Sequence, residues 1–422
     1  MLQRVKSKAG GWLRLLGPGL VTGAADDDPS GVATYAQAGA RFGYDLLWAV
    51  ALTTPLMLAV QLVSARIGRT TGAGVVANVR RHLPRGVAQG LVALLMIANV
   101  ANIAADLAAV GEALSLLLGG AEQRFALAAG ALSLLAQVAV PYRRYAAFLR
   151  WSTLALFAYV AAAFAAPVDW PHALRAAVWP SQALSRDSLM MLVAVLGTTI
   201  SPYLFVWQAA QEIEEMRLAD NGPLRETGNA AGELRRLRID TGVGAFLSNV
   251  VAFFIMLSTA AALNAHGVTN IETSAQAAEA LRPVAGDFAF ALFALGIIGT
   301  GLLAIPVLAG SAAYAASEVF GGDFSLEKPF TGAPGFYGIL IAATLGGAAI
   351  DFWAVAAMKL LIWAALLNGL IAPPFLAAMM LVASNPEAMG AHVAPRWLLT
   401  LGWTATAAMT ASVALLALAA LL

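Results

Sequence analysis

GAADDDPSGV, residues 23–32, places three consecutive carboxylates and an Asp-Pro-Ser-Gly sequence inside a run that otherwise reads as a membrane span. Leu15, Leu16, Leu20 and Val21 precede it, and Val32, Ala33, Tyr35 and Ala36 follow. A carboxylate near the bilayer centre costs at least about 2.5–3.5 kcal/mol. Proline removes a backbone donor and clashes with the preceding turn, and glycine adds freedom, so the helix is expected to unwind across Asp28–Gly31. Unwound backbone is tolerated at that depth only where it is buried in protein or lines an aqueous cavity. The acids therefore read as facing a cavity, where a carboxylate is stabilised by holding a cation.

Composition supports the membrane setting. Of 422 residues, 60% are hydrophobic and 12% charged, and mean hydropathy is +0.76. Soluble domains carry about 25% charged residues, so half that share marks a polytopic membrane protein. A net charge of +1 gives no case for nucleic acid. The absence of cysteine excludes disulfides, thiolate metal sites and cysteine nucleophiles, and leaves the compartment open. No cleavable signal is expected, because the first apolar stretch runs straight on into the DDDPSG element. Residues 1–422 read as a single polytopic transmembrane domain with short loops.

A crossing helix needs about 20 residues. Eleven candidates are read, at 13–37, 45–67, 87–118, 124–140, 147–167, 188–211, 239–264, 281–308, 335–349, 352–382 and 397–421. The fourth is short and ends at Pro141, and the ninth and tenth are separated only around Asp351. Cytoplasmic loops hold the excess of basic residues. With the N-terminus cytoplasmic, nineteen of the 25 Lys and Arg fall on inside segments, five outside, and Lys359 within a span. The expected location is the cell membrane, multi-pass, with the N-terminus inside.

Span six repeats the anomaly of span one: GTTISPYLFVWQ, residues 197–208, carries Pro202 at a similar depth. Two broken spans five apart predict inverted repeats, about 13–167 and about 188–382, with an additional helix at about 397–421. The predicted fold class is all-α integral membrane with discontinuous helices 1 and 6. In that design the substrate sits at the midplane, where free carbonyls of unwound segments coordinate a cation. Asp28 is either such a ligand or the cap of the second half of span one. Asp26 and Asp27 are either direct or water-mediated partners of the ion or acceptors in interhelical hydrogen bonds. Adjacent helical residues point about 100° apart, so all three reach one ion only from irregular backbone.

GPG at 17–19, Asp28-Pro29, AQAGARFGYDLLW at 36–48, QLVSARIG at 61–68, Asp106-Leu107 and the Pro-bearing sixth span resemble the Nramp divalent-metal transporters. The resemblance covers spans one to ten in order and implies LeuT-type architecture: inverted repeats of spans 1–5 and 6–10 plus an eleventh helix. By position, Asp28 matches the family's metal-binding Asp in its DPGN motif, and Ala25 and Thr198 match positions whose carbonyls face the ion. Where the family has Asn, Met and His, this chain has Gly31, Ser201 and Tyr203. A thioether is soft and selects against hard ions, whereas a hydroxyl leaves an all-oxygen site. Gly31 removes another ligand and is expected to enlarge the cavity. Such a pocket suits Mg²⁺, which dehydrates reluctantly and is held by one or two carboxylates plus water. The losses also resemble the Nramp-related magnesium-transporter branch. The expected activity is alternating-access transport of a hard divalent cation, Mg²⁺ first and Mn²⁺ second. The family's proton route falls on Asn99, Ala109 and Gln208, none of which exchanges protons at physiological pH, with Asp106 retained; weak or absent proton coupling is expected.

The candidate metal set is Asp28, Ala25, Gly31, Thr198, Ser201 and Asp27, with Asp26, Tyr203, Gln208 and Asp106 lining or gating the cavity. Tyr203 and Gln208 either line it or hold helices together. QEIEE at 211–215 reads first as a solvated helix end, with a gate latched by the basic residues of the following loop as the alternative. Asp106 and Lys359 read as functional intramembrane charges or as a structural contact. Loop 212–238 reads as a solvated cytoplasmic segment, and 168–187 as carrying a small extracellular structure. Asn368 with Pro373 and Pro374 reads as packing or as a kink in span ten. The four His are scattered and offer no metal site. No resident cofactor is expected; the partners are a divalent metal ion and the lipid bilayer, no nucleic acid, and an open oligomeric state that includes a monomer. With no nucleophile–base pair, phosphate loop or cofactor motif, no enzyme is expected. The rival readings are a transporter of the same fold for an organic cation or amino acid, and a non-transporting membrane receptor or partner-binding protein.

Overall fold

Two short helices stand where one first span was expected. The structure, a computed structural model, describes residues 17–140, 144, 151–180, 185–219, 221–226, 230–321, 325–326, 328, 330–351 and 355–421. The starts of predicted spans one (13–16), five (147–150) and ten (352–354) lie outside the described residues. Among the described residues the helices, short turns aside, are α1 (Pro18–Asp26), α2 (Pro29–Phe42), α3 (Leu47–Thr71), α4 (Val75–His82), α5 (Arg85–Leu118), α6 (Glu122–Ala139), α7 (Ala158–Ala165), α8 (Trp170–Val178), α9 (Arg186–Thr199), α10 (Pro202–Leu218), α11 (Ala230–Ala262), α12 (Ala289–Phe320), α13 (Pro334–Asp351), α14 (Ala357–Ser384) and α15 (Arg396–Leu421). They include no strand.

Both breaks have the same construction. Span one leaves helical geometry at Asp27 (φ −81°, ψ 42°) and Asp28 (φ −65°, ψ 167°). Span six does so at Ile200 (φ −119°, ψ 62°) and Ser201 (φ −82°, ψ 131°). Pro29 and Pro202 then open the second halves, because the first helical position loses nothing when its N–H is missing. The first break therefore lies just before Pro29 rather than running through Gly31, which belongs to the first turn of α2.

Eight described helical segments are long and apolar enough to cross a membrane, corresponding to predicted spans two, three and six to eleven. Span one is divided, span four is the 18-residue α6 that carries Glu122 and Arg124, and span five is represented by α7 after a 3₁₀ turn at Ser152–Phe157. Several boundaries move. Predicted span eight, 281–308, begins with short helical turns that include Arg282–Ala285, and its long helix runs from Ala289 on to Phe320, since the small residues after 308 pack closely although they are only weakly apolar. Predicted loop 212–238 shrinks: α10 runs on to Leu218 and α11 begins at Ala230. The 168–187 segment carries α8, as expected of a small structure there. Helix α14 is continuous through Pro373 and Pro374.

α5 runs through the centre against α12, α13 and α14, while α1 and α2 lie along α11, and α9 lies along α14. Small residues set these approaches, as membrane bundles need. A Cβ on Gly23 would collide with the backbone of Gly244 on α11, and one on Gly197 with Ala365 and Gly369 on α14. The two broken spans are thereby held tightly at their sides while their ends meet.

Candidate functional site

The broken ends converge on Gly31. A methyl group there would lie 3.2 Å from the Asp26 carbonyl oxygen, 3.2 Å from Thr198 Oγ1 and 3.4 Å from Asp28 Oδ1. Three oxygens from both broken spans thus surround one point. The missing side chain at 31 leaves no open space here, contrary to the expected enlargement, because these oxygens have closed over it. The backbone oxygen found at this point is that of Asp26, one residue beyond Ala25.

Asp28 serves as cap and as acceptor at once. Its Oδ1 accepts from the Gly31 N–H at 2.6 Å, and its Oδ2 accepts from Tyr203 Oη at 3.1 Å. Tyr203 also approaches the Ala25 carbonyl at 3.4 Å, so it bridges both faces of the first break. Ser201 Oγ donates toward the carbonyls of Gly197 and Thr198, at 2.7 and 2.9 Å, and closes the second break on itself. Each carbonyl and carboxylate oxygen retains a further lone pair. A helix C-terminus is the negative end of its dipole, and α1 and α9 both end here.

The remaining acids have only neutral partners. Ser248 Oγ on α11 lies 2.6 Å from Asp26 Oδ2 and 3.0 Å from Asp27 Oδ1, but a hydroxyl has one proton to donate. Asp106 on α5 is fully buried, and both its carboxylate oxygens lack a hydrogen-bond partner among the described residues. It is close enough to Asp28 for the two to repel. No ion pair is formed by Asp26, Asp27, Asp28 or Asp106 among the described residues. Nor do three or more His, Cys, Asp or Glu groups there form a metal-holding cluster. The donor set is mixed: one carboxylate, hydroxyls and carbonyls. Lys359 does not meet Asp106; it is exposed in the first turn of α14.

Gln208 belongs to a second region, one helical turn and more along α10. Its Oε1 accepts from Thr22 Oγ1 at 2.5 Å and its Nε2 donates to Glu212 Oε1 at 3.2 Å. Glu212 is fully buried and paired with Arg236 of α11 at 2.6 Å; Arg236 also reaches Glu215 at 3.0 Å. Glu214 is buried against Tyr314 and Ser325. QEIEE is therefore a latched helix end, which corrects the solvated reading. Asp240 completes the latch by accepting from the N–H groups of Gly17, Gly19 and Leu20, at 2.7, 2.7 and 3.2 Å, where α1 has no cap of its own.

The sequence reading missed Ser248, Asp240, Arg236 and the hydrogen bond between Tyr35 and Thr199, 2.8 Å, that ties α2 to α9. One signal was available. Asp240, Gly244 and Ser248 recur every fourth residue on α11, which marks a polar and small face turned toward span one. Asn102 and Asn368 bond reciprocally at 3.0 and 3.1 Å, which settles Asn368 as a helix-to-helix contact.

A family model described as "Natural resistance-associated macrophage protein-like" (Nramp) matches residues 19–419. A divalent metal cation transporter, MntH, of Aeromonas hydrophila is 28% identical over 339 residues, 77% of this chain and 78% of the relative. The protein of the same description from Klebsiella pneumoniae is 25% identical over 401 residues, 94% of this chain and 91% of its own length. A crystal structure of a manganese transporter from Eremococcus coleocola superposes with a TM-score of 0.76 at 17% identity, covering 97% of this chain and 87% of that one. Mhp1, a nucleobase-cation-symport-1 family transporter, gives a TM-score of 0.51 at 14% identity, covering 95% of this chain and 93% of that one. The fold is thus the all-helical LeuT type with spans one and six discontinuous and an eleventh helix outside the repeats. The curated relatives are named as transporters, in line with a non-enzymatic reading.

Proposed function

The chain belongs to the Nramp family, and from that premise we propose that it carries a hard divalent cation, Mg²⁺ ahead of Mn²⁺, across the cell membrane by alternating access. The names of the curated relatives support divalent-metal transport. The observation that supports the choice of ion is that the three atoms nearest a side chain at Gly31 are all oxygens, with Asp28, Thr198 and the Asp26 carbonyl converging within 3.4 Å of one point. Ser201 puts a hydroxyl where the family has the Met thioether. Hard oxygens without a thioether favour an ion that keeps part of its water shell.

The roles follow from position. Asp28 supplies the charge; Ala25, Thr198 and Ser201 supply carbonyl and hydroxyl oxygens; Gly31, with no side chain, lets the oxygens of both breaks close on one point. Asp27 joins from the break itself, and Asp26 and Asp106 hold the cavity negative. Tyr203 orients Asp28, and Gln208 passes the state of the site to the latch below. Asn99, the position where the family's route would need an acid, instead donates to the Leu308 carbonyl and Ser311 Oγ at 2.8 and 2.7 Å; it supports weak or absent proton coupling. The chain acts as one domain, with repeats at about 13–167 and 188–382 and the helix at about 397–421, its N-terminus cytoplasmic.

Flux in proteoliposomes tests this directly. The wild-type protein is expected to move Mg²⁺ without a pH gradient and to favour it over Mn²⁺ in competition. Ser201→Met, which returns the soft ligand, is expected to move that ratio toward Mn²⁺ about tenfold, or about 1.4 kcal/mol. Mn²⁺ outcompeting Mg²⁺ in the wild type at equal concentration, or concentrative uptake driven by an inward proton gradient, overturns the choice of ion or of coupling respectively.

A further inference from the structure

A pocket of about 280 Å³, lined by none of the residues of the two breaks, lies where α3 finishes and α11 and α15 begin. Two arginines line it, Arg66 and Arg238, with no acidic side chain among the lining residues. The rest of the wall is apolar and includes Leu62, Leu237 and Leu398, all under 5% exposed, with Trp397, 45% exposed, at the rim. Arg66 Nε and Nη2 donate to the carbonyls of His392 and Val393, at 2.8 and 3.1 Å, so its guanidinium is fixed in direction. Among the described residues Arg238 Nε reaches the Leu234 carbonyl of its own helix alone, at 3.4 Å. Neither arginine forms an ion pair among the described residues, and the two are close enough to repel.

The contrast with their neighbours is informative. Arg69, one turn from Arg66, meets Glu233, and Arg236, two residues from Arg238, meets Glu212, Glu215 and Glu233. Carboxylates are therefore available within a turn on both helices, yet the face occupied by Arg66 and Arg238 receives none. Two like charges turned into one half-buried, otherwise apolar recess call for an anion that also carries apolar mass. α15 supplies the setting: its apolar stretch is only 22% buried within the protein and is left to lipid. Trp and Arg at a helix start of this kind mark the membrane–water boundary. Basic pockets between crossing helices on the cytoplasmic side hold anionic lipid headgroups.

We propose that Arg66 and Arg238 form a binding site for the phosphate of an anionic phospholipid of the inner leaflet, its acyl chains lying along α15 and its glycerol region against Leu62, Leu398 and Trp397. The lipid would join α3, α11 and α15. Because α11 also carries Arg236, Asp240 and Ser248, occupancy would brace the helix that holds both the latch and the acids of the first break.

The purified full-length protein is tested in neutral detergent micelles by thermal melting and by native mass spectrometry, with phosphatidylglycerol, phosphatidylcholine, and inorganic phosphate with no lipid. Phosphatidylglycerol is expected to raise the melting temperature above phosphatidylcholine at equal mole fraction and to appear as a retained adduct. Arg238→Gln is expected to weaken that adduct about fivefold, the effect of one basic side chain near a charged lipid surface, without changing melting in phosphatidylcholine. Arg66→Gln is expected to do the same, and Arg238→Gln alone decides if Arg66→Gln does not fold. Equal shifts with the two lipids, or full retention of the phosphatidylglycerol adduct in Arg238→Gln, overturns the site. A shift with inorganic phosphate equal to that with phosphatidylglycerol overturns the lipid assignment.

Discussion

The surroundings of the two ends of α1 handle carboxylates in opposite ways. At the latch, Glu212 and Glu215 share the Arg236 guanidinium, and Asp240 accepts from three backbone N–H groups. At the break, Asp26, Asp27 and Asp28 have a serine, a tyrosine and one backbone amide between them, and Asp106 has no partner. A buried ion pair is already compensated and gains little from a passing cation. A carboxylate held by neutral donors is positioned but has no cation beside it. The difference separates residues that close the protein from residues left to receive something positive.

Replacing Asp28 tests that contrast most severely. Asp28→Ala is expected to lower cation affinity more than about a hundredfold, since even groups that only support a metal ligand are worth 10–100-fold. Asp28→Asn sharpens the point: Asn caps a helix about as well as Asp, so melting should change little while Mg²⁺ binding by calorimetry is lost as in the alanine variant. Normal binding in Asp28→Asn would reduce Asp28 to a cap. Next in size is Arg236→Gln, which strands the fully buried Glu212 and should cost about 3 kcal/mol of the closed state. A lower melting temperature and faster thiol labelling of a cysteine placed at Gln208 are the expected readouts; unchanged labelling would mean that the network does not hold this end shut. Tyr203→Phe should have the smallest effect. It removes one donor worth about 1 kcal/mol, so a roughly fivefold fall in Mg²⁺ flux with a near-normal melting temperature is expected. A flux equal to wild type would assign Tyr203 to packing alone.

Much of the fold was legible because proline and hydropathy act locally. Pro29 and Pro202 each cannot donate to the turn before, and each break fell within two residues of its proline. The apolar runs gave the spans, but their ends were misplaced at Phe320 and Ala230, where helix continues through small or charged residues that hydropathy cannot distinguish from loop. The site was legible in part. Asp28, Thr198 and Gly31 do meet, whereas Ser248 and Asp240 were marked only by their four-residue spacing with Gly244, a pattern that many packed membrane helices share. QEIEE was misread for the same reason: a run of acids looks solvated until an arginine some twenty residues away is known to fold back over it.

By itself, the sequence determined that this chain crosses the membrane many times, breaks its first and sixth crossings, and carries oxygen rather than sulfur at position 201. Those are properties of residue type and neighbouring backbone. Only the tertiary structure decided which acids meet a cation and which meet neutral donors alone, because that depends on Arg236 folding back over Glu212 and Glu215 and on Ser248 reaching Asp26 and Asp27 from more than two hundred residues along the chain. Pairing across such separations is set by how helices pack, and no local pattern in the chain encodes it.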